Sequence, residues 1–171
     1  AQRPRGDYTR ETTRQRTERG HLRTDTWTGE GGRQATRRSE VARDPEAGVR
    51  ERRSEWNGPE GGSLTREQRT ERTGDGWRRS GSLTTGDGRT ATRDTEVVRD
   101  PENGVRTRNA LTTLPDGRTV EGRDVLQRPD DGYVRSTTVI GPDGITGTRD
   151  VQATRDPETG TWQRVVDVDR P

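Results

Sequence analysis

The chain is 171 residues long, with 20% apolar and 36% charged residues, and its 32 basic residues, all arginine, nearly balance 30 acidic ones for a net charge of +2. So polar a composition cannot offset the conformational entropy of folding around one conventional core. The absence of cysteine excludes disulfides, thiolate metal sites and covalently attached c-type haem, and no apolar run approaches the roughly 20 residues of a membrane helix.

From the N-terminus, residues 1–19 read as a polar, strand-like segment. Tyr8, Thr9, Arg10, Glu11, Arg14 and Arg16 mark a candidate assembly strand that is expected to order by pairing with a neighbouring subunit; the alternative is a frayed, solvated terminal strand. Arg5-Gly6-Asp7 spells an integrin-binding tripeptide, which chance explains in a chain this rich in Arg, Gly and Asp. The chain opens Ala1-Gln2 without an initiator Met, as expected after removal of a signal peptide.

Beyond this segment the chain falls into phase. Gly20, Gly48, Gly76, Gly104, Gly132 and Gly160 recur every 28 residues, several within turns such as Arg99-Asp100-Pro101-Glu102-Asn103-Gly104. A second set of turns lies between them, among them Gly58-Pro59-Glu60-Gly61-Gly62, Pro115-Asp116-Gly117 and Gly141-Pro142-Asp143-Gly144, and it drifts by a residue or two against the first. Pro before Asp and Gly is turn chemistry. The segments between turns are rich in Thr, Val and Arg, which favour strands. The expected fold is all-β: an antiparallel meander or solenoid of about six 28-residue strand pairs, filling residues 1–171 as one tandem-repeat domain with little conventional core. One set of loops is expected to be constant and the other variable.

The repeat is graded. Val, Ile and Leu number five in residues 1–84 and sixteen in residues 85–171, while formal charge runs from +3 in residues 1–28 to −2 in residues 141–171. Trp27, Trp56, Trp77, Tyr133 and Trp162 are candidate packing aromatics that cap the sheet or supply small satellite cores; stacking on sugars or on a neighbouring chain is the alternative. Aspartates in turns such as Gly74-Asp75-Gly76 and Pro129-Asp130-Asp131-Gly132 serve turn geometry and match no calcium loop. His21 reads as a surface residue, and no nucleophile elbow or phosphate loop is present. No catalytic, cofactor or metal site is expected.

Gly141-Pro142-Asp143-Gly144, Thr148-Arg149-Asp150-Val151 and Thr154-Arg155-Asp156-Pro157 together resemble tandem β-repeats of secreted bacterial proteins. That resemblance implies an extracellular structural or surface protein. The expected function is a filament or matrix subunit that assembles head-to-tail with itself by strand pairing and charge complementarity. The alternatives are a monomeric stalk or adhesin that binds polysaccharide or other surface polymers, and an arginine-mediated polyanion binder. Nucleic acid is set aside as a partner because carboxylates interleave with arginine along the chain.

Overall fold

The computed structural model describes residues 8–170. Twelve strands follow one another in an antiparallel meander, in sheet order β1 to β12. They are β1 (Tyr8–Thr17), β2 (Gly20–Gly29), β3 (Gln34–Asp44), β4 (Val49–Asn57), β5 (Ser63–Arg72), β6 (Gly76–Thr85), β7 (Thr90–Asp100), β8 (Val105–Thr113), β9 (Thr119–Gln127), β10 (Gly132–Ile140), β11 (Thr146–Arg155) and β12 (Trp162–Asp169). The one helical element among the described residues is a 3-10 turn at Glu30–Gly32. Two compact units divide these strands. Of the described residues, unit 1 comprises 8–71 and 81–91, and unit 2 comprises 72–80 and 92–170.

The phased glycines fill two different roles. Gly48, Gly104 and Gly160 have φ of 65°, 62° and 70°, and each lies just ahead of a strand, β4, β8 or β12. Only glycine enters that left-handed region without strain. Gly20, Gly76 and Gly132 instead open β2, β6 and β10, and their φ is not positive. Here glycine is required by space. A Cβ would lie 1.8 Å from the carbonyl oxygen of Val41, 1.8 Å from that of Val97 and 2.0 Å from that of Ala153. Successive strand pairs therefore alternate, and equivalence is restored only every two pairs, or four strands.

The same four-strand period accounts for the drifting turns. Five of them close alike, with an N–H bonded to the carbonyl four residues on: Gly29 to Arg33, Gly58 to Gly62, Thr85 to Arg89, Leu114 to Arg118 and Gly141 to Ile145. In each the residue before that carbonyl is a positive-φ glycine, at Gly32, Gly61, Gly88, Gly117 and Gly144. This is the three-residue hairpin loop that needs one left-handed residue. Gly32, Gly88 and Gly144 are related by two strand pairs, as are Gly61 and Gly117. The apparent drift is a longer period seen against a shorter one, and these loops are as regular as the phased set.

The buried side chains obey this period as well. Ser39, Thr95 and Val151 are equivalent, as are Val41, Val97 and Ala153, and all six are buried. The turns after them share the Asp-Pro-Glu motif. Asp44 Oδ1 accepts the Ala47 N–H, Asp100 Oδ1 the Asn103 N–H, and Asp156 Oδ1 those of Glu158 and Thr159. These bonds to the ionised form hold Asp100, chiefly through the Asn103 side chain, and Asp156, chiefly through the Thr159 backbone, below the usual carboxylate range.

Candidate functional site

In a strand, alternate residues face opposite sides, and the printed pairings fix which residues share a side. In unit 1, Thr12, Asp25, Arg37, Trp56 and Leu64 lie in one row across β1 to β5. Stepping by two from that row collects Arg10, Arg14 and Arg16 from β1, Arg23 from β2, Arg37 and Arg43 from β3, Arg50 and Arg52 from β4, and Arg66 from β5. That side holds nine arginines and one carboxylate, Asp25. The opposite side holds Glu11, Glu40, Asp44, Glu51, Glu55, Glu67 and Glu71 with only Arg38, Arg53 and Arg69. Residues that alternate in sign along the chain are thus sorted in space.

Unit 2 is sorted in the same way. The row Val97, Arg108, Asp124, Thr137, Arg149 and Val168 belongs to a side that also carries Arg93, Arg99, Arg106, Arg135, Arg155 and Arg164. Asp124 is its only carboxylate. Asp94, Glu96, Asp100, Glu121, Asp150, Asp167 and Asp169 occupy the other side with Arg123. The carboxylate that departs from the majority on each arginine face is buried, and every other buried residue among the described ones, Ser39, Val41, Thr95, Val97, Val151 and Ala153, lies on an arginine face too. Within a single layer of strands, long side chains are what can cover a valine. Val41 sits directly between His21 and Arg52 in its row. Arginine suits such cover because its aliphatic stem can lie over apolar surface while its head stays partly solvated, as those of Arg10 and Arg23 do; Arg106 Nε and Arg108 Nε are instead buried without a hydrogen bond.

Asp25 is 2% exposed and receives five hydrogen bonds on Oδ1: from Arg10 Nε and Nη2 at 3.2 and 2.9 Å, Arg23 Nε and Nη2 at 3.1 and 2.8 Å, and Thr12 Oγ1 at 2.7 Å. Burial works to raise its pKa; the bonds from Arg23, Thr12 and Arg10 outweigh that and hold the carboxyl well below its ordinary value. Asp124 is bound on Oδ2 by Arg135 Nε at 2.7 Å and by Thr137 Oγ1 at 3.2 Å, while Arg106 Nη2 stands 3.7 Å from Oδ1. In both units an Arg-x-Thr on one strand grips an Asp directly opposite the Thr: Arg10 and Thr12 on Asp25, Arg135 and Thr137 on Asp124. The sequence carried that signal, but recognising it requires the register.

The other ion pairs within strands of unit 1 lie on its carboxylate face, where Arg53 meets Glu55 and Glu67 and Arg69 meets Glu51 and Glu71. Among the described residues, Arg37, Arg50, Arg52 and Arg66 form no ion pair. Arg52 shows the consequence: burial, then repulsion from Arg37, Arg66 and Arg50, lowers its pKa.

The candidate assembly strand proves to be β1, all of it exposed. Its residues point both ways. Arg10 turns inward onto Asp25, Arg14 and Arg16 face Arg23 and His21 across the pairing, Glu11 lies opposite Thr26, and Thr9 Oγ1 reaches the Thr28 carbonyl at 3.5 Å. The Arg5-Gly6-Asp7 tripeptide lies outside the described residues. Of the aromatics, Trp27 and Trp56 pack against each other with ring centroids 4.9 Å apart, and the Arg10 guanidinium lies 5.3 Å from the Trp27 ring centroid. Arg79 lies 4.9 Å from the Trp77 ring centroid. Tyr133 stands opposite buried Ala153 on the arginine face of unit 2, as exposed His21 stands opposite buried Val41 in unit 1. Trp162 is 59% exposed on β12.

Among the described residues no helix is long and apolar enough to cross a membrane, and no three metal-ligating side chains gather. No protein-family model, curated protein or solved structure matches the chain.

Proposed function

We propose that the chain is a structural subunit that assembles with copies of itself, by strand pairing at its two free edges, into an extracellular bacterial filament or matrix. One observation carries this reading. Among the described residues β1 pairs only with β2 and β12 only with β11, so each of these strands keeps one line of backbone N–H and C=O groups unpaired there. Neither edge strand carries a proline, and every residue of both strands is exposed; β1 does carry charged side chains of the kind that blunts edge pairing, Arg10 turned onto Asp25 among them. β12 also exposes Trp162, Val165, Val166 and Val168. Strand addition supplies backbone hydrogen bonds without requiring a core, which suits a chain that has little core to offer.

Negative-stain microscopy and light scattering of the intact chain test this. The expected result is concentration-dependent elongated assemblies that shorten or vanish when residues 1–19 are deleted. A chain that stays monomeric at every concentration refutes assembly and leaves the stalk. Assemblies unchanged by the deletion refute the role of β1.

A further inference from the structure

We propose that the arginine face of unit 1 is a binding surface for single-stranded nucleic acid, with Arg37, Arg50, Arg52 and Arg66 holding phosphates beside the Trp27–Trp56 pair. The argument that excluded such a partner was local neutralisation, and it holds only along the sequence. Across β1 to β5 the neutralising carboxylates stand on the other side, and the one acid on this side, Asp25, is already saturated by Arg10, Arg23 and Thr12.

The four-strand repeat supplies a second, independent argument, because the chain contains its own set of equivalent positions. Arg37, Arg93 and Arg149 are equivalent, and so are Arg52, Arg108 and Arg164. All six lie on arginine faces. Arg50 is kept at Arg106 but gives way to Trp162, and Arg66 gives way to Gly122, whereas no arginine of the carboxylate face is retained at all: Arg38 is replaced by Asp94 and Asp150, Arg53 by Asn109 and Val165, and Arg69 by Val125. Covering a valine explains a long aliphatic stem at these positions. It does not explain a row of cations whose heads repel, as they do around Arg52. An anion from outside the chain does.

Three aromatics decide the class of polyanion. Tyr8, Trp27 and Trp56 all lie on the arginine face of unit 1, and its carboxylate face has none. Tyr8 and Trp56 are exposed. A basic surface interleaved with aromatic rings is how single strands are held without regard to sequence, the bases stacking while the guanidinium groups follow the backbone. Neighbouring strands lie about 4.8 Å apart and same-side residues along a strand about 6.8 Å apart, so arginines on this grid can meet successive phosphates of an extended strand.

The test uses the full chain and a fluorescein-labelled single-stranded DNA of about 12 nucleotides, within the site sizes such surfaces span. The unaltered chain is expected to bind, with quenching of tryptophan fluorescence and weakening as salt rises. Two triple variants with equal charge change are then compared. Arg37→Gln with Arg52→Gln and Arg66→Gln is expected to lose about 10- to 100-fold in affinity and to flatten the salt slope by about 2. Arg38→Gln with Arg53→Gln and Arg69→Gln, on the other face, is expected to lose less than about 3-fold. Trp56→Ala is expected to lose about 10-fold with the salt slope unchanged. Circular dichroism checks that each variant retains its strands. Absence of binding at low salt, or equal losses in the two triple variants, overturns the proposal. A sulfated polysaccharide fragment of equal charge that binds as tightly, with no tryptophan quenching by the DNA, overturns the nucleic-acid assignment. So does a result in which the first triple variant changes only self-association, which would make the carboxylate face of a second copy the occupant. The edge-deletion experiment on assembly is independent of every one of these readouts.

Discussion

The two units use one device with different materials. In unit 1 the arginine face is laced with aromatics, Tyr8, Trp27 and Trp56, and Val41 is its one buried aliphatic residue. In unit 2 the same kind of face also carries two aromatics, Tyr133 and Trp162, but is laced mainly with aliphatics: Val97, Val151 and Ala153 are buried, with Val120, Leu126, Val139, Val166 and Val168 on the same side. The acid anchors differ to match. Asp25 takes two arginines and a threonine on a single oxygen, whereas Asp124 relies on Arg135 and Thr137 on one oxygen, and Oδ1 has no hydrogen bond. Where apolar cover is scarce the sheet leans on ionic hydrogen bonds, and where it is ample those bonds are fewer. The repeat specifies a backbone, and side chains of quite different chemistry stabilise it.

The largest expected effect asks whether the backbone device is equally strict in both units. Gly20→Ala in unit 1 and Gly76→Ala in unit 2 each drive a Cβ into a strand carbonyl 1.8 Å away, and each is expected to lower stability by about 3 kcal/mol. Gly104→Ala, which strains a turn and crowds no neighbouring strand as closely, is expected to lower it by about 1–2 kcal/mol. Hydrogen exchange in the strands flanking each site reads these losses; a smaller loss for Gly20→Ala than for Gly76→Ala would show unit 1 to be the looser of the two.

Next comes the acid anchor. Asp25→Asn leaves Arg10 and Arg23 without their carboxylate and is expected to destabilise unit 1 by about 2 kcal/mol, below the usual figure for a broken buried pair because both guanidinium groups are partly solvated. Asp124→Asn is expected to lower unit 2 by about 1 kcal/mol. Equal losses would contradict the trade between apolar cover and ionic bonding.

Acid titration sharpens the same contrast. The pKa of Asp25 is lowered on folding, so its contribution is fully present above the unfolded aspartate value near 4 and is lost as pH falls toward the folded value. Strands β1 to β3 are therefore expected to lose exchange protection progressively as pH drops below about 4, and Asp25→Asn is expected to flatten that dependence. A pH profile identical in the variant would show the anchor to be unimportant.

The smallest effect lies on the carboxylate faces. Removing the exposed pairs Arg53–Glu67 and Arg69–Glu51 by Arg53→Ala and Arg69→Ala is expected to change thermal stability by less than about 1 kcal/mol. A larger loss would mean that these faces, too, help hold the sheet.

Much of the architecture was legible in the residues. β-branched segments between Pro-Asp-Gly turns read as strands, and the constant glycine spacing reads as antiparallel pairs, because strand and turn chemistry are local. Two features were not legible. The glycines of the phased set look alike in sequence, yet Gly48, Gly104 and Gly160 answer to a dihedral angle while Gly20, Gly76 and Gly132 answer to a carbonyl on another strand. The second kind depends wholly on a residue some twenty positions away, as Val41 is from Gly20, while Gly104 answers to its dihedral angle and also to the Arg128 carbonyl oxygen, 2.9 Å from where a Cβ would lie. The anchors Asp25 and Asp124 were likewise hidden among thirty acids until pairing placed each opposite its threonine.

The sequence by itself determined the strands, the turns, the low apolar content and the near-neutral charge, since these follow from composition and short-range backbone preference. The tertiary structure alone decided where the charges went. Arginine and carboxylate that alternate along a strand separate by its two-residue period, and the antiparallel register then aligns like with like across neighbouring strands. A chain that counts as neutral thereby presents a face of guanidinium groups and a face of carboxylates in each of its units.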